Sequence, residues 1–345
     1  MAIRFVVVGL GHIGRRHAAL IAAHPEAEVV GICDRLPRQA LDWPEGVPED
    51  VYYTRELTEL LRQVRFDVAC ICTPNGFHAP QALECLYAGH HVVIEKPMAL
   101  TVAECDALMA AADRRGLHVF GVMQNRYSPA SAWLKEVVDA GTLGAVLQVH
   151  LDCFWNRDLR YYRTADGEPH PWHGDAALDG GVLFTQFAHF VDLLCWTFGR
   201  IEVDRVVLAN QTHGNVHPFP DSGMVHFRLP GGGLGSLNFS TVIWDRNFES
   251  TLTVIGSRGT VKLGGQYMND LRYCHVAGVT APALPPSAPP NHYGPYEGSA
   301  ANHHFVIDNV VEVLRGRAEV ATPAGEGRMV VDVIQAIYRA GSYPD

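Results

Sequence analysis

Positive charge is in short supply in this chain: 27 Lys and Arg stand against 37 Asp and Glu, a formal net charge of −10. No global basic field exists to attract nucleic acid or an anionic membrane, so the cations for any anionic ligand must be local. Long hydrophobic runs are also missing. After Met1 and Ala2 comes "IRFVVVG", which stops at glycine, too soon for a signal-peptide core or a membrane span. The eight cysteines, at 33, 70, 72, 85, 105, 153, 195 and 274, lack zinc-type pairing. Cys70 and Cys72 share one side of a predicted strand, a poor disulfide geometry, so all eight read as reduced, buried thiols of a cytoplasmic protein. No internal repeat is visible. What is present is ordinary: 48% hydrophobic and 19% charged residues mark a globular chain, and 345 residues exceed what one core usually fills, so two domains are expected.

Up to about residue 122 the pattern alternates. Apolar runs at 3–8, 27–33, 66–72, 91–95 and 117–122 are separated by helical patterns near 13–23, 55–63, 78–88 and 101–115. Alternation of this kind demands crossover helices and predicts an α/β, doubly wound parallel sheet. A linking helix over 128–140 ends at Gly141 and Gly144, and the rhythm then changes. A long strand, "AVLQVHLDCFWN", precedes a polar excursion at 157–178 and one apolar helix over about 181–197. Hairpin-like runs follow, joined by "PGGG" and "GSRG" turns, and predict an α+β domain on a large, open, mostly antiparallel sheet. The proline-rich stretch 277–298 reads as a surface loop, and helices near 300–315 and 326–340 close the chain. The expected domains are 1–123, binding NAD, and 124–345, binding substrate and forming oligomers.

"VVVGLGHIGRRH" sets Gly9, Gly11 and Gly14 in G-x-G-x-x-G after the first strand and at the start of a helix, where backbone amides of the turn through His12 and Ile13 approach a pyrophosphate. Asp34 ends the second strand; its carboxylate suits ribose hydroxyls and repels a 2'-phosphate, which favours NAD over NADP. Arg35 and Arg38 beside it either soften that repulsion or form a solvated face. The fourth strand ends in "ICTPNGFHAP", at the edge where ligands bind in such sheets, so Thr73, Pro74, Asn75 and His78 are expected to border the cofactor, His78 being otherwise a plain helix-start residue.

The fifth strand ends in "VVIEKP" at the same edge. Two charges there are tolerable where a strand opens into a ligand crevice, and Lys96 would then favour a developing alkoxide while Glu95 orients the lysine or the cofactor. Pro97 fixes the turn, through a trans or a cis bond. The second anchor is "DGGVLFTQFAHFVDLLCWTFG". On one helix Thr185, Gln186, His189 and Asp192 share a stripe, and His189 is the natural proton acceptor; alone in an apolar helix it would more often be a satisfied core residue.

With these residues in view, the chain resembles the glucose-fructose oxidoreductase, inositol dehydrogenase and rhizopine-catabolism (Gfo/Idh/MocA) family over essentially its whole length. The motifs are the glycine loop with Asp34, "TPNGFH", "EKP", and the Gly-Gly helix with His189 and Asp192. The resemblance implies NAD(P)-dependent oxidation or reduction of a sugar or polyol and homo-oligomers, dimers or tetramers, through the second domain's sheet. It also implies cofactor contacts from Gln124 and substrate contacts from Asn125, Thr185 and Gln186. Many members carry an aspartate four residues before the helix histidine and a glycine two before it. Thr185 and Phe187 stand there, so Lys96 and His189 share the task more directly.

"CFWNRDLRYYR" with "WHG" is similar to the bacterial dehydrogenases that oxidise C3 of UDP-N-acetylglucosaminuronic acid. Arg157, Arg160 and Arg163, with Arg126, concentrate cations suited to a uronate or a diphosphate, and Trp155, Tyr161, Tyr162 and Trp172 offer stacking surfaces, with Asn156 helping to place the ring. The plainer alternative is an arginine loop at an oligomer contact. "NHYGPYEGSAANHH" adds further candidate contacts; its His303 and His304 lack a second ligand cluster, so no metal is expected. Rival functions are the same chemistry on a free polyol such as inositol, and an NAD-binding sensor without turnover.

Overall fold

A computed structural model describes residues 1–294 and 296–342; Pro295, inside the "NHYGPYEGSAANHH" stretch, and residues 343–345 of the expected second domain lie outside the described residues. The chain divides into two compact units, 1–123 with 303–328, and 124–302 with the remainder. In the first, β1 (Ile3–Val8), β2 (Ala27–Cys33), β3 (Tyr52–Thr54), β4 (Val68–Ile71), β5 (His91–Ile94) and β6 (Val119–Gly121) form a parallel sheet ordered β3-β2-β1-β4-β5-β6. Helices α1 (His12–Ala23), α2 (Leu57–Gln63), α3 (His78–Ala88) and α4 (Val102–Asp113) make the crossovers. The strands are buried on both faces, Phe5 to Val7 and Val68 to Ile71 having no exposure, which is why they read as unbroken apolar runs. α4 starts at a capping box, Thr101 and Glu104 bonding reciprocally.

The second unit begins with α5 (Pro129–Asp139) and β7 (Val146–Phe154). Short helices α6 (Leu159–Tyr162), α7 (Ala176–Asp179) and α8 (Val182–Thr185) precede α9 (Ala188–Phe198). β8 (Glu202–Ala209), β9 (Ser222–Arg228), β10 (Leu234–Ser240), β11 (Glu249–Gly256), β12 (Gly259–Gly264) and β13 (Asp270–Val276) complete a sheet ordered β13-β12-β11-β7-β10-β9-β8. Its pairings are antiparallel except β10 against β7. β14 (Pro290–Tyr293) and β15 (Tyr296–Ala300) form a hairpin inside the stretch expected to be irregular, the run "APALPPSAPP" ending just where it begins. Helices α10 (His303–Leu314) and α11 (Ala324–Ala340) close the chain.

Two expectations change. The single boundary at 123 omits a return: α10 packs on α1 with Val306, Ile307, Val310 and Val311 buried, and Thr322 pairs with Gly121 beyond β6. An amphipathic helix must bury its apolar face somewhere, and α1 of the first unit supplies the surface. The expected helix over 181–197 is broken as well, its two pieces bent by 52°. All eight cysteines are free thiols, seven of them buried, and burial pushes Cys105 and Cys195 up to about 12, so they are inert at neutral pH. No single helix among the described residues is long and apolar enough to cross a membrane.

Candidate active site

In the first unit the glycine loop is shaped by close approach. Gly9 has φ +87°, and a Cβ there would lie 2.8 Å from the Cys72 carbonyl oxygen; a Cβ on Gly14 would lie 1.9 Å from that of Gly9. Gly11 faces open space, with nothing within 4 Å of an added Cβ. The backbone before α1 is thus exposed where exposed His12 and half-buried Ile13 begin the helix, a cradle that fits a pyrophosphate. Asp34 is built into the loop: one oxygen accepts from the Leu10 amide at 2.6 Å and the other from the Leu36 amide at 2.8 Å. Arg35 is exposed, and Arg38 pairs with Glu49 at 2.7 Å and lies 4.0 Å over the Trp43 ring, a solvated-face role.

The carboxyl edge carries the remaining expected cofactor residues. Thr73 lies against the glycine loop, 2.9 Å from a Cβ on Gly9, and its hydroxyl donates to Gln81 at 2.7 Å. Pro74 precedes a short 3-10 turn that begins at buried Asn75. His78 opens α3, fully enclosed, with Nδ1 2.7 Å from the Pro97 carbonyl and Nε2 2.7 Å from that of Thr73. Glu95 is buried with one oxygen 2.8 Å from His17 Nε2 and 3.4 Å from His303 Nε2, and the other accepts from the Lys96 amide at 3.2 Å. Burial opposes the carboxylate, yet the two histidines hold its pKa well below 4.5. These three side chains bring metal-ligand atoms within 4.8 Å of one another, a cluster that sequence spacing could not reveal because His303 returns from the far end of the chain. Lys96 is half-buried, and the Lys96–Pro97 peptide is cis.

In the second unit the expected polar stripe does not lie on one straight helix, since the bend between α8 and α9 aims its members apart. The Thr185 hydroxyl donates to the Asp179 carboxylate, which also accepts from the Gly174 amide at 2.9 Å. Gln186 donates to the Tyr161 hydroxyl at 3.0 Å. Gln124 Nε2, expected at the cofactor, lies 3.0 Å from His189 Nε2; with the amide donating, that ring nitrogen is the acceptor. Asp192 binds Arg126 through two hydrogen bonds, both side chains buried, so Arg126 is occupied and adds no cation for a ligand. Buried Asn125 reaches Ser299 of β15 at 3.5 Å.

The arginine-rich excursion sorts by partner. Arg160 is paired with Asp158 at 2.7 Å, whose carboxyl is held down to about 2 despite burial by bonds from Arg160 and Tyr296, and Arg163 donates to the Gly167 carbonyl at 2.8 Å. Arg157 differs. It is 4% exposed, bonds only neutral oxygens, of Asn156, Asn247 and Glu297 (backbone), and pairs with no carboxylate among the described residues. The rings of Trp155, Tyr161 and Tyr296 surround its guanidinium at 4.9, 5.3 and 5.1 Å. Asn156 is tied to Ile243 at 2.6 Å. Tyr162 turns its hydroxyl inward, its ring 4.7 Å from His217, so Tyr161 and not Tyr162 meets Gln186. Half-buried Trp172 packs edge-on to His173, itself stacked 4.0 Å from Tyr161. Sequence reasoning missed Asp179 and Tyr296; the aspartate before Gly180 was the available signal for the first, whereas nothing local marks the second.

Residues 3–122 match the oxidoreductase family with an NAD-binding Rossmann fold, and 132–262 match the Gfo/Idh/MocA C-terminal domain. A WlbA dehydrogenase from Bordetella pertussis, crystallised with NADH and UDP-GlcNAcA, superposes with a TM-score of 0.84 at 30% identity, covering 99% of this chain and 97% of that one. A 4-carboxy-2-hydroxymuconate-6-semialdehyde dehydrogenase of Sphingobium sp. is 30% identical over 62% of this chain and 64% of that enzyme, just under two thirds of its length. An inositol 2-dehydrogenase of Rubrobacter xylanophilus is 28% identical over 74% of this chain and 70% of its own. The chain belongs to the Gfo/Idh/MocA family of NAD-binding oxidoreductases.

Proposed function

We propose that the protein is an NAD-dependent dehydrogenase that oxidises C3 of UDP-N-acetylglucosaminuronic acid. The observation that carries this reading is Arg157, a buried guanidinium among aromatic rings with no carboxylate partner among the described residues. A buried unpaired cation costs several kcal/mol, roughly, and a uronate or diphosphate would relieve that penalty. Likeness to an enzyme crystallised with UDP-GlcNAcA supports the same substrate class. NAD supplies the hydride acceptor. His189 takes the hydroxyl proton, Lys96 stabilises the forming alkoxide, and Gln186, Asn156 and Arg157 orient the sugar. Gly9, Gly11, Gly14, Asp34 and Thr73 hold the dinucleotide. A homo-oligomer through the second unit's sheet, in the cytoplasm, completes the reading.

Absorbance at the nicotinamide band over a panel of UDP-N-acetylglucosaminuronate, UDP-N-acetylglucosamine and myo-inositol tests it. The uronate should be turned over fastest, and Arg157→Gln should erase its advantage over the neutral nucleotide sugar. Faster turnover of inositol would move the function to the free-polyol reading, which the Rubrobacter relative favours. Tight NADH binding with no turnover on any of the three would leave a sensor.

A further inference from the structure

His78 sits between two segments with different tasks. Its Nε2 faces the carbonyl of Thr73, which lies against the glycine loop, and its Nδ1 faces the carbonyl of Pro97, one residue after Lys96, each at 2.7 Å. The residue before Lys96 is fixed too, because Glu95 accepts the Lys96 amide while His17 and His303 hold its other oxygen. The lysine turn is therefore gripped on both sides, and the His78 grip also reaches Thr73 beside the glycine loop. Two simultaneous donations need a proton on each ring nitrogen. Burial, the largest influence, and Lys96 lower the His78 pKa overall, although the two carbonyls and Glu95 work the other way; the pair of 2.7 Å contacts to acceptors is what argues for both protons. We propose that His78 is a positioning residue that couples the dinucleotide loop to the turn that aims Lys96. This rests on the reading of Lys96 given above.

Amide side chains separate the two arms of the ring. His78→Asn keeps a donor near the Nδ1 position and so the Pro97 bond; His78→Gln keeps one near Nε2 and so the Thr73 bond. On the full chain, NADH affinity is measured by tryptophan quenching and kcat with NAD and UDP-N-acetylglucosaminuronate. Loss of the bond to Pro97 predicts that His78→Gln loses kcat by about tenfold with NADH affinity within about twofold. His78→Asn is expected to show the opposite split, NADH affinity falling about tenfold and kcat less than about threefold. Equal changes in both variants, or none, would overturn the coupling. Lys96→Ala is run in parallel: if it still turns over, the lysine reading fails; if it is inactive while the two His78 variants behave alike, only the coupling fails. Should a variant not fold, ring ¹⁵N shifts of His78 in the wild-type chain decide, since a single protonated nitrogen contradicts a double donor.

Discussion

Glu95 commits both oxygens before any ligand arrives, one to two histidines and one to the Lys96 amide. That commitment has a pH signature. A carboxyl with a folded pKa well below 4.5 contributes stability that is complete above its unfolded value and is lost as pH falls below about 4.5 toward the folded value. Melting temperature against pH should therefore fall more steeply below pH ~4.5 in the wild type than in Glu95→Gln; parallel curves would remove the ion pair as the cause. His17→Ala leaves a buried carboxylate short of its nearest partner and should destabilise by about 3 kcal/mol in urea unfolding, since breaking a buried pair strands the other charge. Lys96→Ala should abolish turnover, by a factor of roughly a thousand or more, with NADH affinity nearly intact in the same quenching titration. The type of residue at this edge was legible from "EKP" at a strand end. Its support was not, because His303 reaches Glu95 across two hundred or so residues of chain, and no local pattern encodes such a contact.

At the scale of elements, the bend between α8 and α9 replaces one expected stripe by four separate pairings. Helical spacing made Thr185, Gln186, His189 and Asp192 neighbours; the Gly180–Gly181 entry and the non-helical Phe187 sent them to Asp179, Tyr161, Gln124 and Arg126 instead. Asp179 anchors this region. Removing its carboxylate orphans the buried Gly174 amide and leaves the Thr185 hydroxyl on the Asp179 carbonyl at 3.0 Å, so Asp179→Ala should lower stability by about 1 to 2 kcal/mol, read in urea unfolding, with Asp179→Asn recovering part of it. An unchanged midpoint would show that the anchor lies elsewhere. Unlike the central strands, β8 and β13 escaped the sequence reading. Both are edge strands with charged residues, Glu202, Asp204 and Arg205 in one and Asp270 and Arg272 in the other, and few buried positions to set an alternation.

For the whole molecule, five of the six strands and the crossover helices through residue 123 were readable because buried parallel strands and helices leave strong, opposite periodicities, whereas the three-residue β3 is too short to leave one. The return of residues 303–328 was not readable, since an amphipathic helix declares that it has an apolar face but not which surface covers it. A fragment ending at Met123 lacks that cover and the His303 partner of Glu95. It should give a circular dichroism spectrum without a cooperative thermal transition, whereas the full chain melts cooperatively; a cooperative fragment would mean that α10 is dispensable. The seven-stranded sheet has a consequence of its own. With carboxylates and guanidinium groups along both outermost strands, no further backbone can add to the ladder without stranding those charges, so the sheet is sealed against lengthening. Its apolar exposure lies instead on its breadth, where one side of β8, β9 and β10 bears Val207, Met224 and Leu234.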